Sequence, residues 1–401
     1  MIPAARISAA IEIIDRILKG AVLDQALKNW GRGNRFAGSG DRAAIRDLVF
    51  DAWRCRRSYA ALGGAETGRG LMIGRLRATD IDPATLFTGI GHAPAALSAT
   101  DAPRPATEAE ALDCPDWLFA RFGQSLGDEL APVLQAMQRR APVFLRVNLA
   151  RCTREAAIDS LRAEGIDATP NGLAASALEV SGSTRKILTT NIFLSGLVEL
   201  QDAASQAVIA ALPLSNGQSA LDYCAGGGGK ALALAARGDL HVWAHDVDPA
   251  RMRDLPARAK RAGANVRLLT NPADHAPYDL VLVDAPCSGS GSWRRDPAGK
   301  WALTEARLDE LTRIQAEILG KAAALVGRDG RLAYVTCSLL AEENHAQIRD
   351  FLKKNTDWQQ IEDSQYTPLQ GGDGFYLSVL NRKFRNNRQV EGVFSSVLSP
   401  N

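Results

Sequence analysis

No two cysteines in this 401-residue chain are spaced CxxC; the six stand apart at positions 55, 114, 152, 224, 287 and 337. The five histidines add no zinc-ligand spacing, so no metal site is expected. A charge bias is also missing. Lys+Arg 47 against Asp+Glu 45 leaves a net charge of +2, so any polyanionic partner has to be argued from local patches. No apolar run approaches the length of a membrane span, and the opening Met1–Arg6 leads into an amphipathic pattern broken by charge. No membrane partner is therefore expected. Scattered thiols suit a reducing, cytoplasmic setting, and a monomer is the expected state. What is present is a hydrophobic content of 46% over a length that exceeds a usual single core, so two or three domains are expected.

Ile7, Ile11, Ile14 and Leu18 recur at helical spacing, and Ile45, Leu48, Val49 and Trp53 repeat the signal beyond the loop Gly31–Gly40. The first 92 residues thus read as all-helical. Arg32, Arg35, Arg42, Arg46, Arg54, Arg56 and Arg57 are interleaved with them, a guanidinium excess suited to phosphates. A solvated face paired with Asp41, Asp47 and Asp51 fits the pattern equally well. Residues 93–110 hold three prolines and few large apolar groups, which marks a connector. In 111–205, Trp117, Leu118 and Phe122 share a helical face, Pro142–Asn148 turns strand-like, Thr153–Glu164 reads as a helix and Ala174–Val180 as a strand. This predicts a small α+β module.

From 206 to 382 strand and helix patterns alternate. The strand candidates are Leu221–Tyr223, His241–His245, Val266–Leu269, Asp279–Val283 and Arg331–Val335; the clearest helix carries Leu308, Leu311, Gln315, Ile318 and Leu325. Such succession predicts an α/β, Rossmann-like domain with a mostly parallel, doubly wound sheet. A last strand, Tyr376–Leu380, is expected at an edge, and the tail 383–401, rich in Asn, Arg and Ser, is expected to be loosely ordered.

The chemistry concentrates at the ends of three of these strands. After the first comes Asp222-Tyr223-Cys224-Ala225-Gly226-Gly227-Gly228-Gly229-Lys230, a turn whose glycines let the backbone approach a ligand closely. It lacks the G-x-G-x-x-G of dinucleotide enzymes. Asp246 ends the second strand, where a carboxylate can accept from both hydroxyls of a ribose, so turn and acid together specify an adenosine-type ligand. Asp284-Ala285-Pro286-Cys287 and Thr336-Cys337-Ser338 each follow a later strand. Two thiols beside a nucleotide-like cofactor point to covalent chemistry. The remaining Cys55, Cys114 and Cys152 read as small buried hydrophobes.

These motifs resemble the RsmB/Sun family of RNA cytosine-5 methyltransferases, whose first motif usually reads Cys-Ala-Ala-Pro-Gly-Gly-Lys-Thr. Cys224, Ala225, Gly228, Gly229 and Lys230 match it; Gly226, Gly227 and Ala231 depart. The resemblance implies S-adenosylmethionine as cofactor, Cys337 as nucleophile, Cys287 as the group that assists product release, and Asp284 facing both cofactor and target base. It implies Asp246 as the ribose-binding acid, and it leaves Asn271 where the family often carries a further acid. Thr-Cys-Ser after the fifth strand favours the RNA branch, since DNA enzymes use the cysteine of the Pro-Cys motif. The N-terminal helices look like the NusB-type RNA-binding domain that accompanies bacterial rRNA enzymes, so rRNA is the implied partner, with 16S rRNA favoured.

Within the loop Ser288–Pro297, Trp293, Arg294 and Arg295, followed by Lys300-Trp301, are suited to a splayed base and to phosphates, with Trp301 the better candidate for simple packing. Lys230, Arg294, Arg295 and Lys300 are the candidates to stabilise a thiolate. Two alternatives stand beside this reading: a tRNA cytosine-5 methyltransferase, and a non-catalytic RNA-binding factor on the same scaffold.

Overall fold

The computed structural model describes residues 1–182 and 184–383; from residue 384 the tail lies outside the described residues. The chain opens with five helices, Pro3–Leu18, Leu23–Gly33, Ser39–Arg54, Arg56–Gly63 and Gly68–Ala78, that bury Ile13, Ile14, Ile45, Val49, Leu71 and Ile73. The last two cross closely because glycines face each other. A Cβ on Gly63 would sit 1.8 Å from the Gly70 carbonyl oxygen, and one on Gly74 would sit 1.9 Å from that of Tyr59.

The expected connector is strapped down. Arg69 donates to the carbonyls of Ala95 and Ala96, each at 2.9 Å, and to both oxygens of buried Asp101, while Arg77 reaches the Asp101 carbonyl at 2.7 Å. Hydropathy does not register such polar anchoring, which is why 93–110 reads as loose. Arg69 holds the Asp101 carboxyl near about 2, below its ordinary 3.8. A lowered carboxylate stabilises the fold above its unfolded value and loses that contribution as acid protonates it. Asp101→Asn is therefore expected to lower the urea midpoint at pH 7, and the gap to the parent should close as the pH falls from about 4 toward 2.

Next comes an antiparallel sheet of β1 (Val143–Val147), β2 (Asp167–Pro170), β3 (Ala177–Ser181) and β4 (Val198–Leu200), in the order β2-β3-β1-β4. Helix Arg154–Ala163, capped by Thr153, covers it with Ala157 and Leu161. The larger sheet is mixed, with helices on its faces. Its strands are β5 (Ser219–Asp222), β6 (His241–Ala244), β7 (Val266–Leu268), β8 (Tyr278–Asp284), β9 (Val326–Thr336), β10 (Trp358–Tyr366) and β11 (Phe375–Arg382), ordered β10-β11-β9-β8-β5-β6-β7. β5 to β9 pair in parallel, and β11 runs antiparallel between β9 and β10.

The expectation of an edge position for Tyr376–Leu380 is corrected. β11 is internal and buried along Phe375–Leu380, and β10 takes the edge. β10 escaped notice because Trp-Gln-Gln-Ile-Glu-Asp-Ser-Gln-Tyr lacks apolar alternation, as befits a strand with most side chains in water.

The helical domain docks on the segment that follows Cys287. Arg54 Nε donates to the Arg294 carbonyl at 3.1 Å, Lys300 Nζ to the Arg54 carbonyl at 2.9 Å, and Trp301 Nε1 to the Trp53 carbonyl at 2.7 Å. Lys300 is buried near Asp113, Cys55 and Cys114, and that burial lowers its pKa.

Candidate active site

Parallel strands leave their carboxyl ends along one edge of a sheet, and loops there share a crevice where the strand order reverses. β5 has β6 on one side and β8 on the other, so the glycine turn, Asp246 and Asp284 meet there. The turn enters helix Gly229–Ala235 through Gly228 at φ +80, where a Cβ would lie 2.2 Å from Leu255 Cδ1. Asp246, buried at the end of β6, accepts from the Gly226 N–H at 2.9 Å and from Arg251 at 3.1 Å. The α+β module braces the same turn, since Arg146 donates to the Gly229 carbonyl at 2.8 Å, and Arg258, on helix Leu255–Ala262 of the larger domain, reaches that of Gly227.

Lys230, buried in the first turn of that helix, donates to Asp284 Oδ2 at 2.7 Å and sits over the Phe375 ring. Burial pulls its pKa down, but the Asp284 charge and hydrogen bond outweigh that and raise it. The ammonium is therefore a fixed cation. The two motif cysteines come together beside it, with Cys287 Sγ 3.4 Å from Cys337 Sγ. Cys337 lies below the ordinary thiol range, first because of its hydrogen bond with Cys287 and also because Lys230 is near; burial, Asp284 and Glu343 oppose this. Cys287 lies well above that range, raised by the same hydrogen bond and by burial. Of the two thiols, Cys337 is the more readily ionised.

A group with cationic character fits the crevice. Asp222, fully buried at the end of β5, has no hydrogen-bond partner for either carboxylate oxygen, and burial with the nearby Asp284 charge raises its pKa to about 7. Asp222, Asp246 and Asp284 converge there against Lys230 and Arg251. Cys224 lines the turn with its thiol pushed up by burial and these carboxylates. The glycine backbone, a strand-end carboxylate and this negative field suit an adenosyl sulfonium such as S-adenosylmethionine.

Other sequence candidates lie elsewhere. Asn271, exposed after β7, spends its side chain on the following turn, accepting from Ala273 N–H at 3.2 Å and donating to Asp274 at 2.7 Å. Arg294 is buried against Asp373 at 2.7 Å, and Lys300 is sealed in the interdomain contact, so neither faces solvent as an RNA contact would require, and neither stands at the thiols. Arg295 pairs with Asp373 and Asp202 at the surface. Trp293 is also a core residue, edge-on to Phe122 at 5.9 Å, with its Nε1 donating to the Ser288 carbonyl. Arg32 and Arg35 are exposed on the helical domain, lining a groove of about 540 Å³ with Lys28, Arg42 and Arg46. Cys55 and Cys114 are buried, with both thiols pushed up to about 12 by burial; Cys152 is half-buried and likewise raised. Among the described residues no cluster of three or more His, Cys, Asp or Glu could hold a metal, and no helix is long and apolar enough to cross a membrane.

Sequence reasoning passed over Gln315 and Glu343. Gln315 sits in the apolar stripe of helix Glu305–Ala323, where its amide binds the Pro286 carbonyl at 2.9 Å and Glu343 at 3.0 Å. A polar residue at a core position was the only available signal.

A profile described as "16S rRNA methyltransferase RsmB/F" matches residues 209–399, and one described as "Methyltr_RsmF/B-like, ferredoxin-like domain" matches residues 114–185. Ribosomal RNA small subunit methyltransferase B of Photorhabdus laumondii is 32% identical over 67% of this chain and 66% of its own length. The enzyme of that name from Pectobacterium atrosepticum is 31% identical over 69% of this chain and 68% of its own. The chain thus spans about two thirds of the length of the relatives it matches. The crystal structure of PH0851 superposes with a TM-score of 0.73 at 25% identity, covering 95% of this chain and 99% of that one. With the glycine turn, the strand-end acids and the paired thiols in one crevice, these matches lead to a single conclusion: the chain belongs to the RsmB/F family of 16S rRNA methyltransferases.

Proposed function

We propose that this protein methylates carbon 5 of a cytosine in 16S rRNA, with S-adenosylmethionine as the methyl donor and a transient bond from Cys337 to carbon 6 of the base. The observation that carries the reading is the 3.4 Å approach of the two thiols beside the Lys230–Asp284 pair. Carbon 5 of cytosine is a poor nucleophile. Addition of the Cys337 thiolate to carbon 6 places electron density on carbon 5, which then carries the new bond. Asp284 is suited to the N3 and amino edge of the base, stabilising the adduct. The carbon 5 proton then leaves and the bond between sulfur and carbon 6 breaks, returning the thiolate, with Cys287 positioned to assist that departure. The cofactor, held by the glycine turn and Asp246, supplies an electrophilic methyl group when bound. The base must be turned out of its stack to reach both thiols.

The test is transfer of label from S-adenosylmethionine into 5-methylcytosine of unmodified 16S rRNA, with tRNA as competitor. Label in another position of the base, or preference for tRNA, would overturn the reading. The basic groove on the helical domain is the proposed path for the RNA backbone. Arg32→Glu with Arg35→Glu is expected to weaken rRNA binding and to reduce the slope of log affinity against log salt by about 2, measured by filter binding. An unchanged slope would remove the groove from the RNA path.

A further inference from the structure

Between the two cysteine loops lies a carboxylate with an unusual setting. Glu343, in the short turn Ala341–Glu343 that follows Cys337, is 0% exposed. It accepts from the Ser288 N–H at 2.8 Å, from the Ser288 hydroxyl, from the Ser338 hydroxyl and from Gln315 Nε2 at 3.0 Å. Ser288 and Ser338 each directly follow one of the two cysteines. Gln315 also holds the Pro286 carbonyl, and the Tyr334 hydroxyl donates to the carbonyl of Glu343 itself. Among the described residues no Lys or Arg pairs with this carboxylate. Burying a carboxylate among neutral donors alone costs folding free energy, so its place between the two cysteine loops asks for a use.

We propose that Glu343 is a positioning residue: its carboxylate, held by Ser288 of one cysteine loop and Ser338 of the other, locks the loop of Cys287 to the loop of Cys337 and sets a negative charge beside the two thiols. This rests on the methyltransferase reading for its consequence, but its effect on the thiols does not. The charged and titratable groups around the pair are Lys230, Asp284, Asp222, Cys224, Tyr334 and Glu343. Lys230 stands as the cation and favours a thiolate at Cys337. Glu343 adds negative field that disfavours ionisation of both thiols, and Lys230 offsets it at Cys337, so the second thiol keeps its proton while the first reacts. The bias needs no external reagent, and no bond is oxidised or reduced.

The experiment follows each thiol separately by iodoacetamide alkylation and mass spectrometry from pH 6 to 10, without RNA, in the parent and in Glu343→Gln. Removing the negative charge lowers the pH of half-maximal Cys287 alkylation by about one unit. Single-turnover methyl transfer to rRNA falls at least about tenfold, while S-adenosylmethionine affinity stays within about twofold. Superimposable profiles for Cys287 in parent and variant would overturn the proposal. If Glu343→Gln does not fold, Ser288→Ala with Ser338→Ala keeps the charge and removes the two hydroxyl ties; transfer at the parental rate in that variant would overturn it equally. A parent that methylates no cytosine but shows the alkylation shift would sink the functional reading and leave the role of Glu343 standing.

Discussion

Cys337→Ala is expected to reduce formation of 5-methylcytosine by roughly 10⁴-fold or more, since the neighbouring Cys287 is the less readily ionised thiol and makes the bond that activates carbon 5 poorly. Binding of S-adenosylmethionine should be unaffected within about twofold, because the side chain contributes reactivity to the crevice and not its shape. Cys287→Ala should behave differently. Its thiol shares a hydrogen bond with Cys337 and resists ionisation, so its loss is expected to spare the first bond and impair the release that follows. Incubation with rRNA and cofactor should accumulate a protein–RNA species that survives denaturing electrophoresis. Turnover in Cys337→Ala, or an adduct formed by that variant and not by Cys287→Ala, would exchange the two roles.

Asp284→Asn is expected to give the second large effect, and on stability as well as on rate. Lys230 has 10% of its side chain exposed against 33% for Asp284, so neutralising the acid strands the buried partner of the pair. Removing the hydrogen-bonded partner of a buried ammonium costs about 3 kcal/mol, less whatever the neighbouring Asp222 offsets, readable in urea denaturation at pH 7. Lys230→Met should cost less stability, because the remaining carboxylate is partly open to water. For catalysis the two should converge. Loss of Asp284 removes a contact to the base, and loss of Lys230 removes the cation that favours the Cys337 thiolate, each slowing transfer by about 10²-fold to 10³-fold. Only Lys230→Met should move the rate profile to higher pH, since a thiol without its cation ionises later. Equal stability of the two variants would show that the pair is not buried asymmetrically.

The contrast between motif and context runs through the molecule. Cys224, Lys230, Asp246, Asp284, Cys287 and Cys337 are legible because each ends a strand pattern or follows it within a few residues, and a parallel sheet gathers such ends. Arg294, Lys300 and Trp293 look in sequence like a nucleic-acid loop. The fold instead buries them against Asp373, Arg54 and Phe122, contacts with partners 79, 246 and 171 positions away. No local pattern distinguishes an arginine that awaits a phosphate from one already paired with a distant aspartate. Glu343 shows the converse. Glu342-Glu343-Asn344 reads as a solvated turn, yet Glu343 and Asn344 are fully buried and Glu342 is not.

Short-range order, then, was written in the chain: helical periodicity near the start, alternating strands and helices later, the glycine turn, and the two cysteines with their flanking Pro and Thr. These follow from steric and hydrophobic preferences acting over a few residues. The strand order that makes β11 internal, the docking of the helical domain on the segment after Cys287, the 3.4 Å meeting of two thiols 50 residues apart and the burial of Glu343 between them were settled in three dimensions. Each depends on free energy shared between segments distant in sequence, and burial or pairing of that kind has no local signature for a linear reading to find.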